Sequence, residues 1–248
     1  NKLGQGVVVN FIDKEKIDKA LDYMSLIRAL KQGFISDIKA PIRHHHDFKN
    51  PKECVDSTLL LMPAWEESEV LGVKLVTVSP NNTKHNLPSI NGLYVLFNAH
   101  TGGVEALLDG KALTAKRTAA ASALASSYLS KKDASSMLMV GTGALSTELI
   151  KAHATIKDIK KVYVWGRNTD KAQKVVDSLK SEFDIEVAQS IEDVALHVDI
   201  ISCATLSNEP LLKAEFLKEG QHIDLVGSYK PDMREANDEV MKKADVFI

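Results

Sequence analysis

The second half of the chain alternates short apolar runs with longer stretches in which apolar residues recur every three or four positions. Each short run is continuous, which is typical of strands buried on both faces of a parallel sheet, and the connections are short. The predicted strands are Met137–Val140, Val162–Trp165, Ile185–Ala188, Ile200–Cys203 and His222–Val226. The predicted helices are Leu145–Thr155, Asp170–Phe183, Glu192–Val198, Leu211–Leu217 and a last one from Arg234 to Ala244.

The first half follows a different pattern. From Asp13 to Gly33 the apolar residues repeat at helical spacing, which predicts one amphipathic helix ending at Gly33. Turn-rich segments then separate three strand candidates, and a helix of small residues links the halves. The strand candidates are Thr58–Met62, Gly72–Val78 and Leu93–Asn98, and the helix is Leu113–Leu129. The expected fold is α/β, with a smaller α+β domain over residues 1–117 and an α/β domain over residues 118–248.

A glycine turn is the first indication of what the second domain binds. Gly141-Thr142-Gly143 directly follows a predicted strand and opens a predicted helix. The first glycine permits a tight turn, and the second lets the backbone approach a pyrophosphate at the helix N-terminus. Ser146 stands where a third glycine or alanine is usual. The repeated strands and helices that follow strengthen the motif, so we predict a Rossmann-type dinucleotide-binding domain.

The end of the next predicted strand bears on the choice of dinucleotide. NAD-binding units place a carboxylate here to accept hydrogen bonds from the ribose. This chain has Gly166-Arg167-Asn168 instead, and a guanidinium suits a 2′-phosphate. We therefore expect NADPH, with NADH as a weaker alternative. In the alternative interpretation Arg167 is a solvated loop residue and Asp170 begins the helix.

Composition and charge argue against several classes of binding partner. The 248 residues carry a net charge of −2 without a long charged run, which argues against nucleic acid and membrane partners. No apolar segment reaches the roughly 20 residues of a membrane span, and no signal peptide pattern opens the chain. Cys54 and Cys203 are expected to be buried thiols, which favours a cytoplasmic protein. Asp245–Ile248 resembles the start of another strand, so we expect a further C-terminal piece.

Ordered motifs along nearly the whole chain resemble the ornithine cyclodeaminase/mu-crystallin family. They are Gly72-Val73-Lys74, Leu87-Pro88-Ser89, the helix segment from Leu113 to Ala125, Gly141-Thr142-Gly143, and the stretch from Val226 to Glu235. The resemblance implies a homodimer whose first domain builds the interface and the substrate pocket, beside a nucleotide-binding second domain. It also implies a chain that continues beyond Ile248.

Two positions separate this chain from the cyclodeaminase branch. Tyr229 stands where the cyclodeaminases carry an aspartate, and Leu60 where they carry a glutamate. The stretch from Gly227 to Glu235 looks more like the reductases of cyclic imino acids. The resemblance therefore implies reduction of Δ1-pyrroline-2-carboxylate or Δ1-piperideine-2-carboxylate. An NAD-dependent ornithine cyclodeaminase and a mu-crystallin-like NADPH-binding protein remain the alternatives.

The resemblance also implies a substrate site. Arg43, Lys74 and Arg117 match the family's cationic pocket residues, which would hold the carboxylate of a cyclic imino acid. Ser89 matches a hydroxyl position in the family's pocket, and Lys74 and Ser89 are the residues expected to be catalytic. From local sequence alone, Arg43 fits a surface loop, Lys74 an edge strand and Arg117 a structural ion pair. Ser89 equally fits a turn.

His44-His45-His46 invites two interpretations. In an extended segment His44 and His46 share a face and resemble metal ligands, yet no further ligand cluster is evident, so we expect no metal. His46 is instead expected in the substrate pocket beside Arg43, with a solvated polar loop as the alternative.

The remaining site predictions concern the dinucleotide and three carboxylates. The residues expected to bind the dinucleotide are Thr118, Gly141, Thr142, Gly143, Ala144, Leu145, Arg167, Asn168, Ala204, Thr205, Gly227 and Ser228. Asp224, early in an apolar strand, is expected to have a structural partner. Asp232 and Glu235 are expected at a helix start, where carboxylates interact favourably with the helix dipole, and the alternative for Asp232 is a position bordering the nicotinamide.

Overall fold

A computed structural model describes residues 9–228 and 230–248 of the chain. The chain divides into two compact units between Thr114 and Ala115. Tyr229, on which the distinction from the cyclodeaminases partly rests, lies outside the described residues. Within these ranges, no helix has the length and apolar character needed to cross a membrane.

The first unit is built on a six-stranded sheet. Its strands are β1 (Asn10–Ile12), β2 (His44–Phe48), β3 (Ser57–Glu66), β4 (Val70–Val78), β5 (Ile90–Asn98) and β6 (Val104–Asp109). They lie in the order β1-β6-β5-β4-β3-β2. Among these described strands, only the β1–β6 pair is parallel. The three predicted strands are present and longer than expected. β2 escaped prediction because its five residues are all exposed and mostly polar, so no apolar alternation marks it.

Two helices precede β2, so the single helix predicted over Asp13–Gly33 is wrong. They are α1 (Lys14–Ala20) and α2 (Tyr23–Ile35). The side chain of Asp13 accepts a hydrogen bond from the Lys16 amide, and that of Asp22 accepts one from the Ser25 amide. Asp22 thus caps a new helix immediately after α1 ends. The apolar spacing continues across the break, which is why periodicity alone merged the two.

The second unit is built on a five-stranded parallel sheet, as predicted. Its strands lie in the order β11-β10-β7-β8-β9 and every neighbouring pair is parallel. They are β7 (Ser136–Val140), β8 (Lys161–Trp165), β9 (Ile185–Val187), β10 (Ile200–Cys203) and β11 (His222–Leu225). The helices are α3 (Gly110–Leu129), which begins in the first unit, α4 (Ser146–Ile156), α5 (Thr169–Leu179), α6 (Glu192–Ala195) and α7 (Asp238–Lys243).

The central strands of this sheet are buried on both faces. In β10 all four residues are buried, and in β7 only Ser136 is partly exposed. On one face an apolar cluster forms between the sheet and the segments that connect or follow its later strands. It contains Leu138, Val140, Ile201, Cys203, Val194, Leu212 and Val240. This burial on both faces explains the continuous apolar runs in the sequence.

Several predicted elements of the second half differ in the structure. Instead of a helix over Leu211–Leu217 there is one short 3₁₀ helix, Ala214–Phe216. The last helix begins at Asp238 rather than near Arg234, because Asn237 is its N-cap and accepts a hydrogen bond from the Val240 amide. No strand forms over residues 245–248. Cys203 is buried as expected, whereas Cys54 is exposed.

Candidate functional site

Four loops follow neighbouring strands at the carboxyl edge of the parallel sheet. This edge is where open α/β sheets bind ligands. Gly141–Leu145 follows β7, Gly166–Asn168 follows β8, Ala204 and Thr205 follow β10, and Gly227 and Ser228 lie just beyond β11. Because these strands are adjacent, the topology brings together all the predicted dinucleotide residues except Thr118, which lies on α3.

Gly141 fixes the geometry of the first loop. Its φ of +122° lies in the region that favours glycine, and its amide donates to the Trp165 carbonyl at 2.8 Å. A Cβ at this position would lie 2.6 Å from the carbonyl oxygen of Ala204. The loop after β7 and the loop after β10 are therefore in close backbone contact, which no larger residue permits.

Gly166 brings a second pair of loops together. A Cβ there would lie 2.5 Å from Cγ2 of Thr142. The loop after β8 therefore approaches the glycine turn as closely as the loop after β10 does.

The beginning of α4 is suited to an anion. Ser146 stands at the position of the usual third glycine and is fully buried. Its hydroxyl donates a hydrogen bond to the Gly143 carbonyl at 2.6 Å. A Cβ on Gly143 would meet no atom of the described residues within 4 Å. An open glycine backbone at a helix N-terminus fits a dinucleotide pyrophosphate.

Arg167 and Asn168 have different surroundings in the loop after β8. The Asn168 side chain accepts a hydrogen bond from the Lys171 amide at 2.9 Å and so caps α5. Arg167 is exposed at the carboxyl edge, and Asp170 lies inside the first turn of α5. The loop therefore presents a guanidinium and no carboxylate.

Glu235 is a site residue that sequence reasoning missed. It is 2% exposed and lies before α7, so the helix-start role predicted for it is wrong. Its carboxylate accepts hydrogen bonds from the Thr205 amide, the Thr205 hydroxyl and the Gly227 amide, at 2.6, 2.7 and 2.9 Å. Asp232, also expected at a helix start, accepts a hydrogen bond from the Asn208 side chain instead. Glu235 ends the motif stretch that begins at Val226, but its contact with Thr205, 30 residues away in the sequence, depends on the sheet.

Asp224 has structural partners, as predicted. The hydroxyls of Ser122 and Ser202 donate to its Oδ2 at 2.7 and 2.8 Å, and His153 Nε2 lies 3.5 Å away. Burial opposes ionisation of this carboxyl. The interactions with His153 and the two serines outweigh burial and hold its pKa below the usual range. Burial also raises the pKa of the neighbouring Cys203 thiol well above its ordinary value.

In the first unit, Lys74 lies in the middle of β4. It is paired across the sheet with Met62 on β3 and with Tyr94 on β5, and directly opposed residues share a face. Burial raises the pKa of Tyr94. The Tyr94 ring lies over Gly72, because a Cβ there would be 1.9 Å from the phenol oxygen. Gly72 thus makes room for an aromatic neighbour of Lys74 that the sequence did not indicate.

Arg43 precedes β2 by one residue and is exposed. His44 pairs with Leu61, so extending the register by one position places Arg43 opposite Met62, on the Lys74 face. Two strand spacings separate the backbones of Arg43 and Lys74, about 10 Å. Two long cationic side chains on one face can both reach a small anion at that separation.

The register separates His46 and Ser89 from Lys74. His46 pairs with Leu59, which alternation places on the opposite face of the sheet, and the rings of His44 and His46 lie 6.2 Å apart there. The Ser89 carbonyl accepts a hydrogen bond from the Ser79 amide. Ser79 is five residues after Lys74, which places Ser89 about 16 Å from Lys74 along the strand direction. The structure therefore does not bring His46 or Ser89 to Lys74.

Arg117 and Thr118 lie in the second unit on α3, where Arg117 is exposed and Thr118 is half-buried. In the part of the chain that the structure describes, no three His, Cys, Asp or Glu side chains are grouped to hold a metal ion.

Known proteins are similar to this chain in both sequence and structure. A Delta(1)-pyrroline-2-carboxylate reductase of Colwellia psychrerythraea is 36% identical over 244 residues, covering 97% of this chain and 77% of that protein. The structure of Thermococcus litoralis Delta(1)-pyrroline-2-carboxylate reductase in complex with NADH and L-proline superposes with a TM-score of 0.85 at 30% identity, covering 95% and 74% of the two chains. An archaeal alanine dehydrogenase dimer with bound NAD has a TM-score of 0.84 at 25% identity, covering 95% and 72%.

The parallel sheet, its order and its glycine loops define the second unit as a Rossmann-type fold, joined to a smaller α+β unit. The match to the family model runs from residue 9 to residue 248. The chain belongs to the ornithine cyclodeaminase/mu-crystallin family, as its motifs predicted.

Proposed function

We propose that this chain is a nicotinamide-dependent reductase that converts Δ1-pyrroline-2-carboxylate to L-proline. Δ1-Piperideine-2-carboxylate, which would give L-pipecolate, is the second proposed substrate. The observation that carries this proposal is the similarity to pyrroline-2-carboxylate reductases along both units, at 36% identity over 97% of the chain for the Colwellia enzyme. The Thermococcus enzyme supports it, since its structure contains NADH and L-proline.

The proposed reaction reduces the ring C=N bond to C–N. The carbon receives a hydride and the nitrogen a proton, and a bound reduced nicotinamide supplies the hydride. This chain's residues would orient the ring. Arg43 and Lys74, on one face of the first sheet, supply positive charge for the substrate carboxylate, and we assign Arg117 the same role. Orientation of this kind is a large part of the catalysis of bimolecular reactions.

The sequence suggests two residues, Lys74 and Ser89, for proton transfer to the ring nitrogen. In the strand register Ser89 is about 16 Å from Lys74 along the strand, so the two do not act at one position. We therefore propose that Lys74, rather than Ser89, lies near the reacting ring nitrogen. Tyr94 beside Lys74 is protonated near neutral pH, and burial raises its pKa further above the ordinary value of 10.0.

We further propose that NADPH is the preferred dinucleotide. Arg167 is exposed in the loop after β8, the position where NAD-binding units carry an acid, and no carboxylate accompanies it there. A guanidinium there would bind the 2′-phosphate by charge-assisted hydrogen bonds.

A homodimer formed through the first unit completes the proposal. Leu75 and Leu93 are direct cross-strand neighbours that line a groove on the sheet face opposite Lys74. A second copy covering this face would remove half-exposed apolar surface from water. The archaeal alanine dehydrogenase with a similar fold is a dimer, which supports a dimeric assembly.

Paired assays test the reaction. NADPH absorbance should fall when Δ1-pyrroline-2-carboxylate is added, with L-proline as product, and no ammonia should appear with ornithine. Ammonia release without imine reduction would establish the cyclodeaminase alternative. Bound NADPH without turnover in either assay would instead favour a binding protein.

A further inference from the structure

The buried carboxylate of Glu235 joins two loops that belong to different strands. Oε1 accepts from the amide and the hydroxyl of Thr205, after β10, and Oε2 accepts from the Gly227 amide, beyond β11. Each oxygen therefore serves a different loop. Hydrogen bonds to an ionised carboxylate are about twice as strong as those between neutral groups.

The backbone of Glu235 is anchored independently of its side chain. Its carbonyl accepts from the amides of Leu211 and Leu212, both at 2.9 Å, and the preceding Arg234 amide donates to the Ser207 carbonyl at 2.7 Å. The carboxylate therefore extends from a fixed base.

The two loops that Glu235 joins are in very close contact. A Cβ on Gly227 would lie 2.1 Å from the Thr205 carbonyl oxygen and 2.5 Å from Glu235 Oε1. On its other side, the Ala204–Thr205 loop meets the glycine turn, where a Cβ on Gly141 would lie 2.6 Å from the Ala204 carbonyl. The loops after β7, β10 and β11 thus form one row, and the Glu235 carboxylate hydrogen-bonds two of its three members.

We propose that Glu235 is a positioning residue for the dinucleotide: it fixes the spacing of the loops after β10 and β11 at the carboxyl edge of the sheet. The inference rests on the proposed function, because it assumes that these loops contact a nicotinamide dinucleotide. Glu235 acts through Thr205 and Gly227. Without its carboxylate the two loops lose their shared hydrogen-bond acceptor. Their backbones become less ordered, and the dinucleotide binds more weakly.

Glu235→Gln tests this role with little change of shape. A glutamine offers one acceptor oxygen and one NH₂ group, so in either orientation it faces the donor of one loop with another donor. Buried donors left without an acceptor are costly. The dissociation constant for NADH and NADPH, measured by fluorescence titration without substrate, should rise about tenfold or more, which corresponds to about 1.4 kcal/mol. The KM for the dinucleotide should rise with a smaller change in kcat.

Two further variants and a second readout separate positioning from folding. Asp238→Asn makes the same chemical change three residues away, on an exposed side chain paired with Arg234, and should leave the dissociation constants unchanged. Thr205→Val removes the hydroxyl, which donates to Glu235 and accepts from the Ser207 amide at 3.4 Å, but keeps the Thr205 amide bond to Glu235, so it should weaken binding less than Glu235→Gln. In dinucleotide-free protein, amide hydrogen exchange of Glu235→Gln should accelerate in peptides covering residues 204–207 and 226–228, and not in β7.

The outcomes distinguish this inference from the function on which it rests. A folded Glu235→Gln protein with wild-type dissociation constants overturns the inference, even if its melting temperature falls, because that is the result of a purely structural role. If that variant does not fold, unchanged binding by Thr205→Val overturns it instead. Wild-type protein that binds neither dinucleotide overturns the proposed function, and this inference with it.

Discussion

At the scale of single residues, Arg167 carries the proposed preference between dinucleotides. It is exposed in the loop after β8, and its neighbour Asn168 is engaged as the N-cap of α5. Arg167→Ala should raise the dissociation constant for NADPH by about 10- to 100-fold, since a hydrogen bond to a charged group contributes about 1.5–3 kcal/mol. Binding of NADH, which has no 2′-phosphate, should change little.

Fluorescence titration of both dinucleotides measures this difference. Lys174→Ala, which removes an exposed cation from α5, is the matched control and should leave both affinities near wild type. Equal weakening of NADH and NADPH by Arg167→Ala would remove this residue from 2′-phosphate recognition.

His222 should make stability depend on pH. It is buried in β11, its ring lies 6.5 Å from that of His153, and its Nε2 has no hydrogen-bond partner among the described residues. Burial lowers its pKa below 6.5, and His153 and Lys157 act in the same direction against the opposing effect of Asp224. The unfolded chain therefore takes up the proton first, so stability is lost as the pH falls from about 6.5 through the folded pKa.

Melting temperatures between pH 7.5 and 5 measure this effect. His222→Gln should flatten the decline, whereas His197→Gln, at an exposed histidine, should keep the wild-type slope. The lowered pKa of Asp224 contributes only at lower pH, because its ordinary value is 3.8. An identical decline in wild type and His222→Gln would show that this ring does not control the acid response.

At the scale of elements, the glycine turn after β7 offers two substitutions with opposite expectations. Gly141→Ala combines a positive φ with a contact to the Ala204 carbonyl, so it should lower the free energy of unfolding by about 2 kcal/mol or more. Gly143→Ala places its methyl group in open space and should keep wild-type stability while weakening dinucleotide binding. Chemical denaturation and fluorescence titration separate the two effects. A stable Gly141→Ala protein would contradict the packing of these loops.

Elements of the second unit could be predicted wherever local pattern and tertiary burial agree. β7 and β10 are mainly apolar runs because both sheet faces are covered there. Prediction failed where contacts distant in sequence decide the backbone. The stretch from Arg234 to Ala236 is not helical because its backbone hydrogen-bonds to Ser207, Leu211 and Leu212.

At the scale of the whole molecule, the grouping of residues at the proposed dinucleotide edge was more predictable than that on the proposed substrate face. Once the strand order is parallel, strand ends such as Gly141 and Gly227 must meet at one edge, so the sequence sufficed to group them. Grouping Lys74 with Tyr94, and separating both from His46, requires the register of antiparallel strands. A shift by one residue reverses every side chain, and no local signal in the sequence sets that register.

Assembly is the last expectation at this scale. If the first unit forms the dimer through the face that carries Leu75 and Leu93, sedimentation at micromolar concentration should give twice the chain mass. Leu75→Arg places an unpaired charge in that face and should shift the mass toward the monomer. Leu196→Arg makes the same change at an exposed leucine of the second unit and should leave the dimer intact. Circular dichroism checks that both variants are folded. A monomeric wild type would refute the dimer, and a dimeric, folded Leu75→Arg protein would move the interface to another surface.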